Sequence, residues 1–349
     1  MSVQQKPTGN IIDGNEVIAV ELSNAKGTVV KLFNYGAIIN KFIVMDANGE
    51  SLDIVLGFDR FDQYTEPGFL ENNSMMGAVV GRYANRIKDG RFTLEGQTYQ
   101  LPLNAGPNSI HGGLIGFDKK VWDIIEIQEQ PHAAVTLQYE SVDGEEGFPG
   151  NLIVDLTFEL TDNDELILSY EAETDQPTIL NLTHHGYFNL AKQGGQLAGH
   201  QLQILASAYL EQDENYSPTG KLIPVDGTPL DFRTLKTIGQ DWNADEGYDQ
   251  TLVLDKGYGD LSLAAKTIAP DGGLMLSIYT TEPVAHLYTS KYLRAKNGKG
   301  NRDYVGYDGF CIETQHHPNA VNVPEFPSTI LKPKDLYTQT TIYKISQQA

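Results

Sequence analysis

The chain has 349 residues, a length at which a globular protein buries a sizeable hydrophobic core. Its 46 acidic and 25 basic residues give a formal net charge of −21, which disfavours nucleic acids and anionic membranes because both require clustered Lys and Arg. We therefore expect no nucleic-acid or membrane partner, and a neutral small molecule is the ligand that such a chain accepts most easily.

A single cysteine, Cys311, excludes an intramolecular disulfide and fits a reducing compartment. The first residues lack a basic stretch followed by an apolar run, so we expect a cytoplasmic protein unless an export leader has been removed from this form. No run of about 18 apolar residues predicts a membrane span. The expected assembly is a monomer or a homodimer.

Alternation of apolar and polar residues with a period of two predicts β-strands along much of the chain. The clearest segment is 152–160, and weaker alternation marks 27–34, 134–142, 165–174 and 273–281. Dipeptides that favour positive φ angles, and hence tight hairpins, separate such runs at Asn48-Gly49, Asp89-Gly90, Asp143-Gly144, Asp271-Gly272 and Asn297-Gly298. Since no linker interrupts the strands, residues 1–349 are expected to form one all-β domain, a large antiparallel β-sandwich.

Helical periodicity is scarce, and short helical turns are predicted only at 58–64 and 232–239. Neither turn is long enough to organise a fold. The chain also has no low-complexity tract and no repeat of fixed period. We therefore expect few, short helices around the strands.

Three segments contain histidines or acids that can move protons. His111 lies in a polar turn beside two glycines, where a ligand can approach the backbone; an ordinary loop histidine is the alternative. His184 and His185 are adjacent in a predicted strand, so they point to opposite faces and only one can face a given pocket. The alternative is one exposed histidine and one hydrogen-bonded core histidine.

The third segment is 309–319, which reads as a strand followed by two histidines. In a strand, Cys311, Glu313 and Gln315 share one face. A carboxylate among largely apolar residues must be paired, hydrogen-bonded or held neutral, and such a group is a natural general base. The alternative is a glutamate on an edge strand in water.

Two arginines and an aspartate complete the polar candidates. Arg82 or Arg86 can hold ligand hydroxyls through the fork of guanidinium donors, although an ion pair with a nearby acid is the commoner arrangement. Asp249, in a turn, can accept hydrogen bonds from ligand hydroxyls. Zinc, calcium and nucleotide motifs and a nucleophile elbow are missing from the sequence, so no metal and no cofactor are expected.

Six ordered motifs resemble the aldose 1-epimerase (galactose mutarotase) family, and together they extend from about position 34 to 325. The motifs are 34–37, 81–87, 110–113 with 116–118, 181–190, 247–249 and 309–319. The resemblance implies a large β-sandwich with an open cleft on one concave sheet face. It also implies conversion of free aldoses such as D-galactose and D-glucose between their α and β anomers, by acid/base opening of the ring.

The resemblance assigns roles to particular residues. In that family the glutamate matching Glu313 is the base that takes the proton of the anomeric hydroxyl, and the histidine matching His185 protonates the ring oxygen. The histidine matching His111 lies near both oxygens. The residues expected to hold the sugar hydroxyls are Asn85, Arg86, Asp249 and His286.

Two positions depart from the family pattern. The family commonly has Asn at the position of His184 and often has Gln at that of His286, and we include His286 as a sugar contact. Tyr187, Phe188 and Tyr248 offer aromatic surfaces that suit either a sugar face or the core. These departures bear on sugar preference more than on the reaction type.

Other functions stay open at this stage. A glycoside hydrolase would use Glu313 and Asp249 as paired carboxylates. A sugar-binding protein without activity is a further class, although such a protein has no need of the acid/base pair Glu313 and His185. Within the family, an epimerase of hexose phosphates would need a basic cluster, for which the sequence offers only Arg82 and Arg86.

Overall fold

The computed structural model describes residues 1–72 and 74–348, in which antiparallel strands make up most of the regular structure. The strands are β1 (Ser2–Ile12), β2 (Asn15–Ser23), β3 (Val29–Phe33), β4 (Ile38–Met45), β5 (Ser51–Asp53), β6 (Val79–Val80), β7 (Arg86–Ile87), β8 (Arg91–Leu94), β9 (Gln97–Gln100), β10 (Ser109–Ile110), β11 (Asp123–Gln128), β12 (Ala133–Ser141), β13 (Leu152–Leu160), β14 (Glu165–Thr174), β15 (Thr178–Ile179), β16 (Thr183–His184), β17 (Gln201–Ile204), β18 (Ala206–Gln212), β19 (Pro218–Pro224), β20 (Lys236–Thr237), β21 (Asp249–Leu254), β22 (Ser262–Ile268), β23 (Leu274–Thr280), β24 (Val284–Tyr288), β25 (Cys311–Gln315), β26 (Ile330–Leu331) and β27 (Tyr337–Gln347).

Helices are short and few in the described residues. They are α1 (Pro67–Asn72) and the 3-10 turns Phe61–Thr65, Lys88–Gly90, Phe117–Lys119, Glu145–Gly147, Leu197–Gly199, Lys299–Asn301 and Ala320–Asn322. The helical turn predicted at 58–64 is present, shifted toward the C-terminus. The turn predicted at 232–239 is wrong, because the backbone there extends into β20 and pairs with β17. None of these helices is long and apolar enough to cross a membrane.

Three large sheets organise the chain. The largest has nine strands in the order β11-β12-β13-β14-β27-β23-β22-β17-β20. One five-stranded sheet contains β1 to β5 in chain order, and the other has the order β19-β18-β21-β24-β25. Leu156 on β13, Leu32 on β3 and Leu252 on β21 belong to one hydrophobic core. The sheets therefore pack face to face, which confirms the predicted β-sandwich.

Strand β13 shows how the sequence pattern produces this packing. Its even-numbered residues, such as Leu156, are fully buried, while the odd-numbered residues between them keep contact with water. The strand pairs with β12 and β14 over its whole length. Gly144, in the connection from β12, has a φ of 83°, the left-handed conformation that the Asp-Gly dipeptide predicts.

The register of the strands places polar residues on one face of the sheet β19-β18-β21-β24-β25. Across β21, β24 and β25, Thr251 lies opposite His286, and His286 lies opposite Glu313. The two-residue strands β7 and β10 pair so that Arg86 lies opposite Ile110, the residue before His111. Groups that are more than 200 residues apart in the chain thus meet at one place.

Candidate active site

A cleft with a volume of about 350 Å³ lies on this face. All seven residues predicted for the site line it, and they come from strands β7, β21, β24 and β25 and from the loops at 85, 111 and 185. The seven residues are Asn85, Arg86, His111, His185, Asp249, His286 and Glu313. A volume of this size is typical of small-molecule sites.

Glu313 lies at the base of the cleft and is only 1% exposed. Although β25 is an edge strand of its sheet, the segment around Thr183 covers it, and the Thr183 hydroxyl donates to the Thr314 carbonyl at 2.9 Å. The interpretation of Glu313 as an edge residue in water is therefore wrong. Its Oε2 atom has no hydrogen-bond partner among the described residues. A buried carboxylate with a free oxygen is ready to accept a proton or a hydroxyl group.

The two adjacent histidines point to opposite sides, as predicted, and both are buried, so the alternative of one exposed histidine is wrong. The ring of His184 hydrogen-bonds the Gly77 carbonyl through Nε2 at 2.8 Å, and burial lowers the pKa of His184 to about 3. His185 faces the cleft. Its Nε2 is 3.6 Å from Oε1 of Glu313, too far for a direct hydrogen bond but close enough for both to reach neighbouring oxygens of one ligand.

Cys311 lies behind His185 on the same face of β25 as Glu313, with its Sγ 3.6 Å from Nδ1 of His185. Burial raises the pKa of the Cys311 thiol well above its usual value, so the sulfur stays protonated and uncharged at neutral pH. The His185 ring also packs on Tyr187, with the ring centroids 5.0 Å apart. These contacts hold the imidazole with Nε2 toward Glu313.

His111 is held by a reciprocal pair of hydrogen bonds with Asn85. The His111 backbone N–H donates to the Asn85 carbonyl at 3.1 Å, and the Asn85 backbone N–H donates to Nδ1 of the His111 ring at 3.2 Å. Burial, followed by the nearby charges of His185 and Arg86, lowers the pKa of His111 well below its usual value. The ring is therefore neutral, and since Nδ1 is an acceptor, Nε2 carries the proton. His111 offers the cleft a neutral N–H donor.

The glycine after His111 serves backbone packing. Gly112 has a φ of 86°, and a Cβ atom at this position would lie 1.9 Å from the Gly81 carbonyl oxygen. The sequence suggested that the glycines let a ligand approach the backbone here. At Gly112 it is instead the backbone carbonyl of Gly81, just after β6, that lies close. This packing joins the 81–87 motif to the 110–113 motif and fixes the position of the His111 ring.

Arg86, which is half-buried, and the buried Asn85 also line the cleft. The Arg86 guanidinium carbon lies 5.1 Å from the centroid of the Tyr216 ring, a cation–π arrangement. No carboxylate forms an ion pair with Arg86 among the described residues, so its N–H groups remain available to a ligand. The side-chain oxygen of Asn85 accepts from the Arg86 backbone N–H at 2.9 Å. This bond turns the Asn85 amide NH₂ away from the backbone.

The buried His286 and the partly exposed Asp249 form a pair on the neighbouring strands β21 and β24. The Nε2 atom of His286 is 2.9 Å from Oδ1 of Asp249. Burial opposes ionisation of Asp249, but the hydrogen bond and charge of His286, with the charge of Arg86, lower the pKa of Asp249 below its usual value. Asp249 is therefore a carboxylate, and its second oxygen can accept a hydrogen bond from a ligand hydroxyl.

Arg82 does not line the cleft, in contrast to Arg86. Its buried guanidinium donates to Oγ and O of Ser141 at 2.8 and 2.7 Å and to the Pro149 and Val142 carbonyls, each at 2.9 Å. The fifth N–H faces Oγ1 of Thr178 at 3.5 Å. Burial lowers the pKa of Arg82 to about 10, at which the group is still charged at neutral pH. Arg82 therefore ties the connection after β12 to the 81–87 segment and has no donor left for a sugar.

This role predicts a loss of stability when Arg82 is replaced. Arg82→Met should lower the free energy of unfolding by about 2 kcal/mol or more, because the buried Ser141 and Pro149 carbonyls lose their Arg82 donors at about 1–3 kcal/mol each. Urea unfolding followed by tryptophan fluorescence measures the change. Arg91→Met is the matched control on an exposed arginine, with an expected change within about 0.5 kcal/mol. Equal unfolding midpoints for the two variants would contradict the assignment.

Of the three aromatic candidates, only Tyr187 lines the cleft, and its hydroxyl donates to the Ser74 carbonyl at 2.9 Å. Phe188 and Tyr248 lie in the core. The sequence reasoning missed Tyr288 and Asn104, which also line the cleft. Tyr288 is two residues after His286 on the same strand face, a spacing that could have revealed it. No sequence pattern marks Asn104, because the path of its loop, and not a strand spacing, brings it to the cleft.

His111, His185 and Glu313 have potential metal-ligand atoms within 4.8 Å of one another. The tautomer of His111 argues against a metal here. Its Nδ1 accepts the Asn85 N–H and its Nε2 carries the proton, so the ring has no lone pair to offer to an ion. The arrangement instead provides one carboxylate, one imidazole beside it and one neutral N–H donor, which is a set of groups for proton transfer.

The sequence profile described as aldose 1-epimerase matches residues 19–344, almost the whole chain. The chain belongs to the aldose 1-epimerase family. The galactose mutarotase of Rattus norvegicus is 40% identical to it over 321 residues, which are 91% of each protein.

Solved structures agree with this membership of the aldose 1-epimerase family. The structure of an aldose epimerase homologue from C. elegans superposes with a TM-score of 0.86 at 33% identity, covering 95% of this chain and 99% of that one. The galactose 1-epimerase of Lactobacillus acidophilus NCFM also gives 0.86, at 29% identity over 100% and 99% of the two chains. The resemblance drawn from six motifs is thereby confirmed over the full length.

Proposed function

We propose that this member of the aldose 1-epimerase family interconverts the α and β anomers of free aldoses such as D-galactose and D-glucose. The observation that carries the proposal is the pair Glu313 and His185 at the base of the cleft, with Oε1 and Nε2 3.6 Å apart. Mutarotation needs a group that takes a proton from the anomeric hydroxyl and a group that gives one to the adjacent ring oxygen. A carboxylate and an imidazole at this separation can serve both oxygens at once.

The reaction follows from these positions. Glu313 takes the proton of the anomeric hydroxyl, the C1–O5 bond breaks with its electron pair going to O5, and O5 takes a proton from His185. The product is the open-chain aldehyde. After rotation about C1–C2, O5 attacks the other face of C1, its proton returns to His185, and the carbonyl oxygen takes the proton held by Glu313. Both residues end in their starting states, so the cycle consumes no co-reactant.

The neutral N–H of His111 suits the oxygens on which charge develops. Because His111 does not titrate near neutral pH, its hydrogen bond to the anomeric or ring oxygen is present throughout the cycle. Arg86 and Asn85 offer donors, and the Asp249 carboxylate offers an acceptor, to the hydroxyls on the remaining carbons. Glu313, His185 and His111 thus serve the reaction at C1 and O5, while the other three residues bind the remaining hydroxyls.

A free sugar fits the cleft better than a sugar phosphate. Arg86 is the one Arg or Lys side chain among the described residues that line the cleft, since Arg82 is buried elsewhere. Phosphate recognition commonly uses several cations or backbone donors. Tighter binding of a hexose phosphate than of the free hexose would overturn this part of the proposal.

A glycoside hydrolase with Glu313 and Asp249 as paired carboxylates is less well supported. One member of such a pair must act as a general acid, which requires a raised pKa. The pKa of Asp249 is lowered, so Asp249 cannot be that acid, and His286 occupies one of the oxygens that a nucleophile or base would need. Release of nitrophenol from an aryl galactoside by the purified protein would favour the hydrolase instead.

Polarimetry on freshly dissolved α-D-galactose and α-D-glucose tests the proposal directly. The purified protein should speed the approach to equilibrium without changing the final rotation, and the ratio of the two rates gives the sugar preference. If neither hexose responds and pentoses respond no better, the proposed activity is wrong.

The position of Arg86 predicts an effect on binding. Arg86→Ala should raise KM by about 10- to 100-fold, since hydrogen bonds that involve a charged group contribute about 1.5–3 kcal/mol, and should change kcat much less. Initial polarimetric rates over a range of sugar concentrations measure both constants. Arg91→Ala, which removes an exposed arginine outside the cleft, is the control; an unchanged KM for Arg86→Ala removes it from the site.

Three further expectations belong to the same proposal. The core shared by the three large sheets supports residues 1–349 acting as one catalytic domain. A cytoplasmic location and a monomeric or homodimeric assembly stay predictions from the sequence. Light scattering on the purified protein tests the assembly, and subcellular fractionation tests the location.

A further inference from the structure

His286, expected from the sequence as a sugar contact, is enclosed by two side chains of the neighbouring strand β21. Its Nδ1 is 2.8 Å from the Thr251 hydroxyl, and its Nε2 is 2.9 Å from Oδ1 of Asp249. His286 is 3% exposed and Thr251 is 1% exposed. Because both ring nitrogens have partners within the protein, His286 has no nitrogen left to hydrogen-bond a sugar hydroxyl.

The positions of the protons in the contacts Thr251–His286–Asp249 follow from the chemistry of Asp249 and Thr251. The lowered pKa of Asp249 makes it a carboxylate, which only accepts hydrogen bonds. Nε2 of His286 must therefore carry a proton. A neutral ring accepts from the Thr251 hydroxyl at Nδ1 and a charged ring donates to it, and a hydroxyl can do both. In either state Thr251 and Asp249 hold the ring with Nε2 donating to Asp249.

The register of the sheet makes this arrangement rigid. Thr251 and His286 are directly opposite each other in the β21–β24 pair, and Asp249 precedes Thr251 by two residues on the same face of β21. The backbone therefore holds all three side chains at fixed spacing. Only Asp249 extends into the open part of the cleft, with 24% of its side chain exposed.

We propose that Thr251 and His286 are positioning residues that orient Asp249 as the acceptor for one sugar hydroxyl. This inference rests on the proposed function and names how the site selects its substrate. The hydrogen bond from His286 to Oδ1 fixes the rotation of the Asp249 carboxylate. Its other oxygen, Oδ2, then faces the cleft in a single orientation. A sugar whose hydroxyl points toward Oδ2 gains a hydrogen bond, and its epimer at that carbon does not.

The proposal predicts a change in binding without a change in chemistry. Thr251→Val replaces the hydroxyl by a methyl group of similar size and should raise KM by about 3- to 10-fold, the range for one lost neutral hydrogen bond, with kcat within about twofold. Thr251→Ser restores the hydroxyl and should return KM to the wild-type value. An equal rise in both variants would show that Thr251 acts through packing, and a fall in kcat at constant KM would place His286 in the chemistry.

A double-mutant cycle tests whether Thr251 acts through Asp249. Once Asp249→Asn has removed the carboxylate, the further change Thr251→Val should leave KM nearly unchanged. Additive effects on KM would overturn the relay. Epimers of the substrate supply a second comparison. Thr251→Val and Asp249→Asn should reduce the preference for the same epimer over the other, because both act on one hydrogen bond to the sugar.

The tautomer gives a measurement that does not depend on activity. In protein labelled with ¹⁵N-histidine, the ring signals of His286 are identified by their absence from His286→Gln, and they should show the proton on Nε2 at neutral pH. Thr251→Val should shift the Nδ1 signal, and Thr251→Ser should not. A proton on Nδ1 with none on Nε2 in the wild-type protein would overturn the relay even if mutarotation is confirmed; the expected signals in a protein without mutarotase activity would refute only the proposed function.

Discussion

Replacing Glu313 by Gln is expected to lower kcat for anomer interconversion by about 10²- to 10⁴-fold, the range contributed by one proton-transfer group. Gln keeps the size and hydrogen-bonding shape of the side chain but cannot take the proton of the anomeric hydroxyl. Because the Glu313 carboxylate is buried with Oε2 unpaired, removal of its charge should not lower the unfolding temperature. Polarimetric rates and thermal unfolding of the same preparation separate loss of chemistry from loss of fold.

Glu282 supplies a matched control for this substitution. It is also buried, and its Oε2 is 2.5 Å from Nδ1 of His316, but it lines a separate cavity away from the cleft. Glu282→Gln therefore removes a buried, histidine-paired carboxylate without touching the proposed base. Its kcat should stay within about threefold of wild type, given that its role is structural. Near wild-type kcat in Glu313→Gln would show that the base is another residue.

Replacing His185 by Asn should lower kcat by a similar factor, about 10²- to 10⁴-fold. Asn can donate a hydrogen bond to the ring oxygen, but it cannot release a proton to it as the C1–O5 bond breaks. Substrate binding should change less, because Arg86 and Asp249 hold the hydroxyls away from the reacting carbon. Steady-state polarimetry gives kcat and KM separately, and the loss is expected in kcat.

The neighbouring histidine gives a control with the same chemical change. His184→Asn alters a buried ring that faces away from the cleft and hydrogen-bonds the Gly77 carbonyl through Nε2, which the shorter Asn side chain does not reach. Its kcat should stay within about tenfold of the wild-type value, the margin for a residue that acts only through packing. If His184→Asn and His185→Asn lost activity equally, the fact that His185 faces the cleft would not be enough to identify it as the proton donor.

Periodicity was a reliable guide to strands and to the direction of side chains along them. The alternation in 152–160 predicted β13, because burying one face of a sheet requires apolar residues at every second position. The same rule placed Glu313 and Cys311 on one face of β25, and it separated His184 from His185. It failed at 232–239, where pairing with β17 stabilises an extended backbone that local sequence does not favour.

The two arginines of the 81–87 motif show what local sequence cannot distinguish. Arg82 and Arg86 are four residues apart in the same acidic chain, and either one could have faced a ligand. The acceptors that bury Arg82 lie about 60 residues away around Ser141, whereas the Tyr216 ring that supports Arg86 is 130 residues away. The fate of each guanidinium depends on partners that only folding brings together.

The sequence by itself determined the strand pattern, the scarcity of helices and, through six ordered motifs, the family. It also indicated seven of the residues that line the cleft. The tertiary structure decided which contacts those residues make. It buried Glu313 beneath the segment around Thr183, gave His111 its N–H donor through Asn85, and enclosed His286 between Thr251 and Asp249. The physical reason is that period and motif are properties of neighbouring residues, whereas burial and hydrogen-bond partners arise from strand register between distant segments.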